Sequence, residues 1–138
     1  MNPEDQARQD IDKMLIASGW IIQDYEDRNL SESLGVAVRE YPLSKDNADY
    51  ALFIDSQPVG VVEAKKYGHT LSGVVEQSEK YLDGLHEKFT SAPIRPPFSY
   101  ETTGIETKFA DRRDPNHRSR YVFTFHRPEL LQTWYNEE

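Results

Sequence analysis

The stretch DYALFIDSQPVGVVEAK, residues 49–65, predicts a β-hairpin that brings charged groups together. Residues 49–54 and 59–65 are mostly apolar runs typical of strands, and the Asp-Ser-Gln-Pro segment at 55–58 has the residue types of a turn. A connection this short makes the two strands antiparallel. Because side chains alternate along a strand, Glu63 and Lys65 share one face with Val61. An acid and a base on such a strand are costly to bury unless they pair or hold a cation.

The predicted hairpin also brings a second carboxylate to the same place. With the turn centred on Ser56 and Gln57, Asp49 is expected near Ala64 and Lys65, and so close to Glu63, because opposed Cα atoms lie only about 4.5–5.5 Å apart. Two carboxylates at one point form a hard oxygen site suited to Mg²⁺ or Mn²⁺. Such a metal activates water and withdraws charge from a phosphoryl oxygen, which suits phosphodiester hydrolysis. The alternative is a plain surface ion pair between Glu63 and Lys65.

Length and composition predict one domain, residues 1–138, with a true core. The chain is 37% hydrophobic, and it has eight tyrosines, six phenylalanines and two tryptophans, which excludes wholesale disorder. It has no cysteine, so disulfides and Cys-type zinc sites are excluded. Its apolar runs are shorter than the ~20 residues of a membrane span, and its first residues do not form a secretory signal. We therefore expect a cytoplasmic protein with no membrane partner.

The charge distribution is uneven along the chain. The net charge of −8 argues against a protein that coats DNA without specificity. Residues 108–127, however, carry six basic side chains against two acidic ones. A nuclease needs such a local basic surface beside a site rich in carboxylates, so this class stays open.

The remaining pattern predicts an α/β fold, a mixed central sheet flanked by helices. Helices are predicted at residues 3–18, at 71 to about 86, and at 128–134. Further strands are predicted at residues 36–41, 98–103, 105–109 and 121–125. The short apolar run 20–22 is expected to lead into a loop at 23–33.

Two spaced motifs extend the hairpin argument. Asp49, thirteen residues and then Glu63-Ala64-Lys65 resemble the PD-(D/E)xK nuclease signature, with Ala48 where a proline is usual. On the predicted second helix, Gln77 and Tyr81 are four residues apart and share a face. This Q-x-x-x-Y spacing resembles an extra motif of RecB-like nucleases and type I restriction enzymes.

A wider resemblance covers essentially the whole chain. The segments EDQARQDIDKMLIASGW, GVAVREYPL, ADYALFID, VGVVEAKK, EQSEKY, YETTGIETKF and RSRYVFTFHRPE together resemble the N-terminal nuclease domain of the R subunit of type I restriction-modification systems. This resemblance implies a restriction-endonuclease-like core. It also implies that Asp49 and Glu63 bind Mg²⁺, with Mn²⁺ as a substitute, and that Lys65 acts on the attacking water or the transition state.

The same resemblance implies supporting residues. Gln77 and Tyr81 would support the site or touch the DNA backbone. Related nucleases often add an acid from the first helix, for which Glu4 is the candidate and Asp10 the second choice.

The resemblance further implies partners and leaves rivals. The substrate would be double-stranded DNA, cut without sequence preference by this domain. In a prokaryotic complex, an ATP-driven translocase domain of the same subunit would follow, with separate modification and specificity subunits. The chain has no G-x-x-x-x-G-K-[ST] motif, so ATP would enter only through that translocase, and the chain is expected to be a fragment. The rivals are a stand-alone repair or recombination nuclease and a non-cleaving docking or DNA-binding module.

Overall fold

The helices and strands follow the predicted α/β order. The computed structural model describes residues 2–44, 46–68, 70–71, 75–115 and 118–137, with the backbone alone for 75–78. The described elements are, in chain order, α1 (Pro3–Ala17), β1 (Ile21–Asp24), a 3₁₀ helix (Tyr25–Asp27), β2 (Gly35–Pro42), β3 (Asn47–Ile54), β4 (Gln57–Ala64), α2 (Val75–Lys88), β5 (Phe98–Thr102), β6 (Thr107–Asp111), β7 (Arg120–Val122) and α3 (Pro128–Tyr135).

One mixed sheet organises these elements. Within the described residues its seven strands lie side by side in chain order, from β1 to β7. The pairs β1–β2 and β4–β5 are parallel, and the other neighbours are antiparallel. A parallel pair needs a long connection, and α2 lies in the connection between β4 and β5. The predicted mixed sheet flanked by helices is confirmed.

The two longest helices cover opposite faces of the sheet. α1 begins at Asn2, whose side chain accepts a hydrogen bond from the Asp5 N–H at 2.8 Å, and its buried residues join a core cluster that includes Tyr50 and Tyr100. α2 contributes Leu82 and Leu85 to a second cluster, which contains side chains of the opposite strand face. Among the described residues, no helix is long and apolar enough to cross a membrane.

The predicted hairpin is present, but its turn lies one residue earlier than expected. Asp55 and Ser56 have φ angles of +50° and +65°, the left-handed pair typical of a two-residue hairpin turn. Ile54 therefore pairs with Gln57, so the turn centred on Ser56 and Gln57 is wrong. A register shift opposite Leu52 and Phe53 follows, and it leaves Val59 as the extra residue of a β-bulge.

Other boundaries also differ from the predictions, including that of β6, which was predicted at residues 105–109 and is Thr107–Asp111. Residues 21–24, predicted to be partly loop, form β1, because they pair with residues 36–39 of β2. The last strand ends at Val122 rather than at 125, and Phe125 is buried in the core from an irregular segment. Leu71 is buried outside the helix, α2 is described from Val75, and residues 72–74 lie outside the described residues.

The close approach of β4 to β5 at Gly60 can be tested by substitution. A Cβ atom on Gly60 would lie 2.4 Å from the backbone oxygen of Phe98, whereas one on Gly84 in α2 would meet Leu43 at 3.4 Å. We expect Gly60→Ala to lower the free energy of unfolding by about 1–3 kcal/mol, since backbone must move. Gly84→Ala should raise it by up to ~1 kcal/mol through helix propensity. Urea unfolding of both variants measures the difference, and an unchanged Gly60→Ala variant would contradict the close approach.

Candidate active site

The three residues of the hairpin motif lie together at one end of β3 and β4. The Ala64 N–H donates to Asp49 Oδ2 at 2.7 Å, and Lys65 Nζ lies 3.0 Å from Glu63 Oε1. The Lys65 N–H donates to the Thr102 carbonyl at 2.8 Å, which anchors the end of β4 to β5. The predicted closeness of Asp49 to Ala64 is confirmed, because the bulge and the altered turn still place both residues at the same level of the hairpin.

A cavity of about 330 Å³ opens at this point. Residues of α1, β3, the end of β4 and the segment that follows β4 line it: Glu4, Arg8, Asp49, Ala64, Lys65 and Lys66. All of them except Ala64 are charged, and Glu4 is the candidate acid from α1. Asp10, the second candidate from α1, instead accepts a hydrogen bond from Gln6 Nε2 at 3.4 Å. Of the two acids, Glu4 therefore lies at the cavity that Asp49 and Lys65 line.

One carboxylate oxygen of Glu63 has no hydrogen-bond partner in the described part of the chain. The Glu63 side chain is buried, Oε1 pairs with Lys65, and Oε2 has no hydrogen-bond partner among the described side chains. Burial raises the pKa of Glu63, and the charges of Glu101 and Asp49 raise it further, while Lys65 lowers it. A buried, unpartnered carboxylate oxygen is costly, so the position is suited to a cation.

Lys65 is held in its charged form. Burial acts to lower its pKa, but the hydrogen bond from its ammonium to Glu63 and the charges of Glu63 and Glu101 outweigh burial, so the pKa is raised. Lys65 is therefore an ammonium at neutral pH. In that form it can donate hydrogen bonds and stabilise negative charge, but it cannot accept a proton.

Asp49 is bound from two sides. Burial raises its pKa, against the lowering effects of the Ala64 N–H and of the Arg8 guanidinium. Arg8 Nη2 lies 2.6 Å from Asp49 Oδ1, and Arg8 Nη1 lies 2.7 Å from Glu40 Oε1. Sequence reasoning missed Arg8 and Glu40. Helical spacing could have identified Arg8 from the sequence, because Arg8 follows Glu4 by one turn and lies on the same face of α1.

A third acid, Glu101, was also missed. It lies on β5 directly opposite Glu63 and is buried, with 6% of its surface exposed. The signal that could have identified Glu101 was an acid in the strand FSYET, because burying a charged carboxylate costs free energy unless an interaction compensates for it. Glu101 adds to the negative potential that raises the pKa values of Glu63 and Lys65.

The helical motif is only partly described. Tyr81 is half-buried on α2, and its charge adds a small contribution to the raised pKa of Lys65. The side chain of Gln77 lies outside the described part of the chain. Its supporting role therefore stays a prediction.

Much of the basic segment holds the fold together. The side chain of Arg112 is only 9% exposed and lies 2.7 Å from Asp83 of α2. Arg113 lies 3.0 Å from Asp111 and donates to the Trp134 carbonyl at the end of α3 at 2.9 Å. These two arginines are thus tied to neighbouring elements, which leaves other residues of the segment to face solvent.

The residues fit a divalent cation held mainly by two carboxylates. Within the described residues, no group of three or more Asp, Glu or His side chains is arranged to hold a metal. Mg²⁺ usually keeps several waters and needs only one or two protein carboxylates, so this result is compatible with a site on Asp49 and Glu63. The unpartnered Glu63 Oε2 is the observation in favour of that fit.

Comparison with known proteins gives the family. The model of one family, described as the second domain of the type I restriction enzyme EcoKI endonuclease subunit, matches residues 26–106, more than half of the chain. The chain belongs to this family. The match spans the hairpin, its three charged residues and Glu101. The predicted resemblance to type I restriction R subunits is thereby confirmed.

Individual relatives agree with this assignment. The EcoKI endonuclease subunit of Escherichia coli (strain K12) is 27% identical over 181 residues, covering 93% of this chain and 15% of that subunit. The chain thus spans about 15% of the length of this relative. A fragment described as an HsdR subunit of a type I restriction enzyme from Vibrio vulnificus YJ016 aligns at a TM-score of 0.63 and 20% identity, over 96% of this chain and 25% of that one. At this identity the likeness supports the restriction-endonuclease-like fold alone.

The raised pKa of Glu63 predicts an unusual effect on stability. A carboxyl group with a raised folded-state pKa binds its proton more tightly in the folded state, so its stabilisation is lost as pH rises through that pKa. In metal-free buffer at pH 7, we expect Glu63→Gln to be more stable than wild type. The difference should shrink towards about pH 4, where the unfolded glutamate also becomes protonated. Chemical denaturation at several pH values measures it.

Asp83→Asn is the matched control with the opposite sign. Burial of Asp83 is outweighed by hydrogen bonds from Arg112 and Arg95, so its pKa is lowered. Its ionised form therefore stabilises the fold, and Asp83→Asn should be less stable than wild type at pH 7. A Glu63→Gln variant that loses stability at pH 7 as Asp83→Asn does would show that the Glu63 carboxylate is satisfied without a metal.

Proposed function

We propose that this chain performs metal-dependent endonucleolytic cleavage of double-stranded DNA, as the nuclease domain of a type I restriction enzyme R subunit. The observation that carries the proposal is the buried Glu63 Oε2, which has no partner among the residues that the structure describes, beside a charged Lys65 and the Asp49 carboxylate. Membership of the restriction endonuclease subunit family supports it. The same membership favours this function over a stand-alone repair nuclease.

We assign different roles in hydrolysis to the carboxylates and to Lys65. Asp49 and Glu63 would hold Mg²⁺, or Mn²⁺ in its place, with Glu4 as a further candidate ligand at the mouth of the cavity. The bound metal supplies a water of lowered pKa and withdraws charge from a phosphoryl oxygen. Lys65, as a fixed ammonium, donates hydrogen bonds to the attacking water and to the oxygens where negative charge develops. Tyr81 and Gln77 are proposed to support the site from α2.

The sheet provides a path for DNA away from the site. Glu63, Glu101, Lys108 and Tyr121 are successive partners across β4, β5, β6 and β7, so they form one row on the same face. The row begins with the two buried acids and ends at the exposed edge of the sheet. At that edge, Lys108 Nζ lies 4.7 Å from the Tyr121 ring centroid. An ammonium at that edge suits a backbone phosphate of DNA that reaches the cavity.

The larger assembly is also part of the proposal. The E. coli relative is far longer than this chain. We place a translocase domain in the same subunit, with ATP bound there, and modification and specificity subunits beside it. Sequence recognition would belong to those partners, because the proposed site meets DNA through charge rather than through base edges.

Metal binding is the first test. Titration of Mn²⁺ into the wild-type chain by calorimetry should show binding, and Asp49→Asn and Glu63→Gln should each weaken it more than about 100-fold, beyond the loss expected for outer partners. Asp83→Asn is the control, since it removes a carboxylate that does not line the cavity. Circular dichroism checks that each variant folds.

The outcomes separate the alternatives. Binding that survives both changes would place the metal elsewhere and remove the assignment of Asp49 and Glu63. An absence of binding in wild type, even with duplex DNA added, would favour the non-cleaving docking or DNA-binding module.

Cleavage tests the role of Lys65. With linear duplex DNA and Mn²⁺, Lys65→Ala should cut about 10²–10³-fold more slowly than wild type, because a donor to the developing charge is lost. Its Mn²⁺ affinity should persist, since the lysine is not a ligand. Lys88→Ala on the exposed end of α2 controls for loss of one positive charge. Equal rates for wild type and Lys65→Ala would contradict the proposed role.

A further inference from the structure

Arg8 already forms an ion pair with Asp49, which is one of the two proposed metal ligands. Its two terminal nitrogens hold different carboxylates: Nη2 lies 2.6 Å from Asp49 Oδ1, and Nη1 lies 2.7 Å from Glu40 Oε1. Arg8 and Asp49 both line the 330 Å³ cavity. A planar guanidinium is well suited to such a double role, because its donors are held in a fixed fork.

The backbone at Glu40 is unusual in a way that serves this contact. Glu40 has φ +50°, in the left-handed region, although it lies inside β2. Its neighbours Arg39 and Tyr41 keep regular pairs with Tyr50 and Ala48 on β3. Such a conformation is unfavourable for a residue other than glycine and recurs at functional sites. The strain is therefore local, and the Glu40 carboxylate that it positions is bound by Arg8.

The two proposed ligands differ in what they already bind. Asp49 has a partner for each oxygen, the Arg8 guanidinium at Oδ1 and the Ala64 N–H at Oδ2. Glu63 Oε2 has none among the described side chains. A divalent cation arriving at the site thus finds a free oxygen on Glu63, but it meets a cation on Asp49 that must move or be repelled.

We propose that Arg8 takes the place of the metal at Asp49, as a stand-in that neutralises this carboxylate in the metal-free chain. When the metal binds, Arg8 releases Asp49. The ion pair with Glu40 then keeps Arg8 at the cavity. This inference rests on the proposed nuclease function and concerns the control of its metal site. It makes metal affinity a balance between two cations for one carboxylate. It also predicts that Arg8 limits metal binding, whereas a residue that merely orients Asp49 would favour it.

Substitution of Arg8 distinguishes these roles by the sign of the effect. In calorimetric titrations with Mn²⁺ alone, we expect Arg8→Ala to bind at least about tenfold more tightly than wild type, since the competing charge is gone. Arg39→Ala is the matched control. Arg39 also holds two carboxylates, Asp12 and Asp24, at 2.9 Å each, but it does not line the cavity. Its removal should leave the affinity unchanged.

Arg8→Lys tests whether Arg8 and the metal exchange at the Asp49 carboxylate or whether only the local positive charge matters. It also provides a second variant in case Arg8→Ala does not fold. Lysine keeps the charge but cannot hold two carboxylates with one planar fork. We expect an affinity between those of wild type and Arg8→Ala. An Arg8→Lys affinity equal to wild type would show that charge alone matters and would overturn the exchange.

Failure of the inference can be told apart from failure of the function. If wild type binds Mn²⁺ and Asp49→Asn does not, but Arg8→Ala binds no more tightly than wild type, the stand-in role is wrong and the metal site remains. If neither wild type nor Arg8→Ala binds Mn²⁺, even with duplex DNA added, both proposals are wrong.

Discussion

The pairing of β3 with β4 is the constraint on which the rest of the site depends. The two left-handed residues of the turn and the bulge at Val59 together set which residues face each other. Because side chains alternate, a slip of one residue would turn Asp49 to the opposite face of the sheet from Glu63. The hydrogen bond from the Ala64 N–H to Asp49 Oδ2 fixes the pairing at the point where it matters chemically.

This end of the sheet concentrates negative charge in a partly buried place. Burial raises the pKa values of Asp49 and Glu63, so their ionised forms are disfavoured by the fold itself. Lys65 and Arg8 offset part of that cost, each from a different side. The remaining imbalance lies at Glu63 Oε2, which has no hydrogen-bond partner among the described residues, and Glu63 faces Glu101 across β4 and β5. A site of this kind gains stability when a cation enters it.

Local sequence patterns predicted the central residues of the candidate site but not its surroundings. Asp49, Glu63 and Lys65 could be predicted because a short hairpin brings them together whatever the rest of the chain does. The turn was predicted one residue late, and the bulge, which residue types did not indicate, shifted the pairing back towards Ala64. Arg8 and Glu101 come from elements whose positions depend on how α1 and β5 pack on the hairpin. The left-handed conformation of Glu40 is equally invisible in sequence, since glutamate rarely adopts it.

The order of the strands bears on how the chain is made. Each strand of the described sheet lies beside the strand that precedes it in the chain, from β1 to β7. During synthesis, every new strand can therefore pair with an edge that has already left the ribosome. Growth by addition at one edge keeps most strand pairing between chain neighbours, which favours rapid folding. The hairpin that carries Asp49, Glu63 and Lys65 would be complete before the second half of the sheet has been translated.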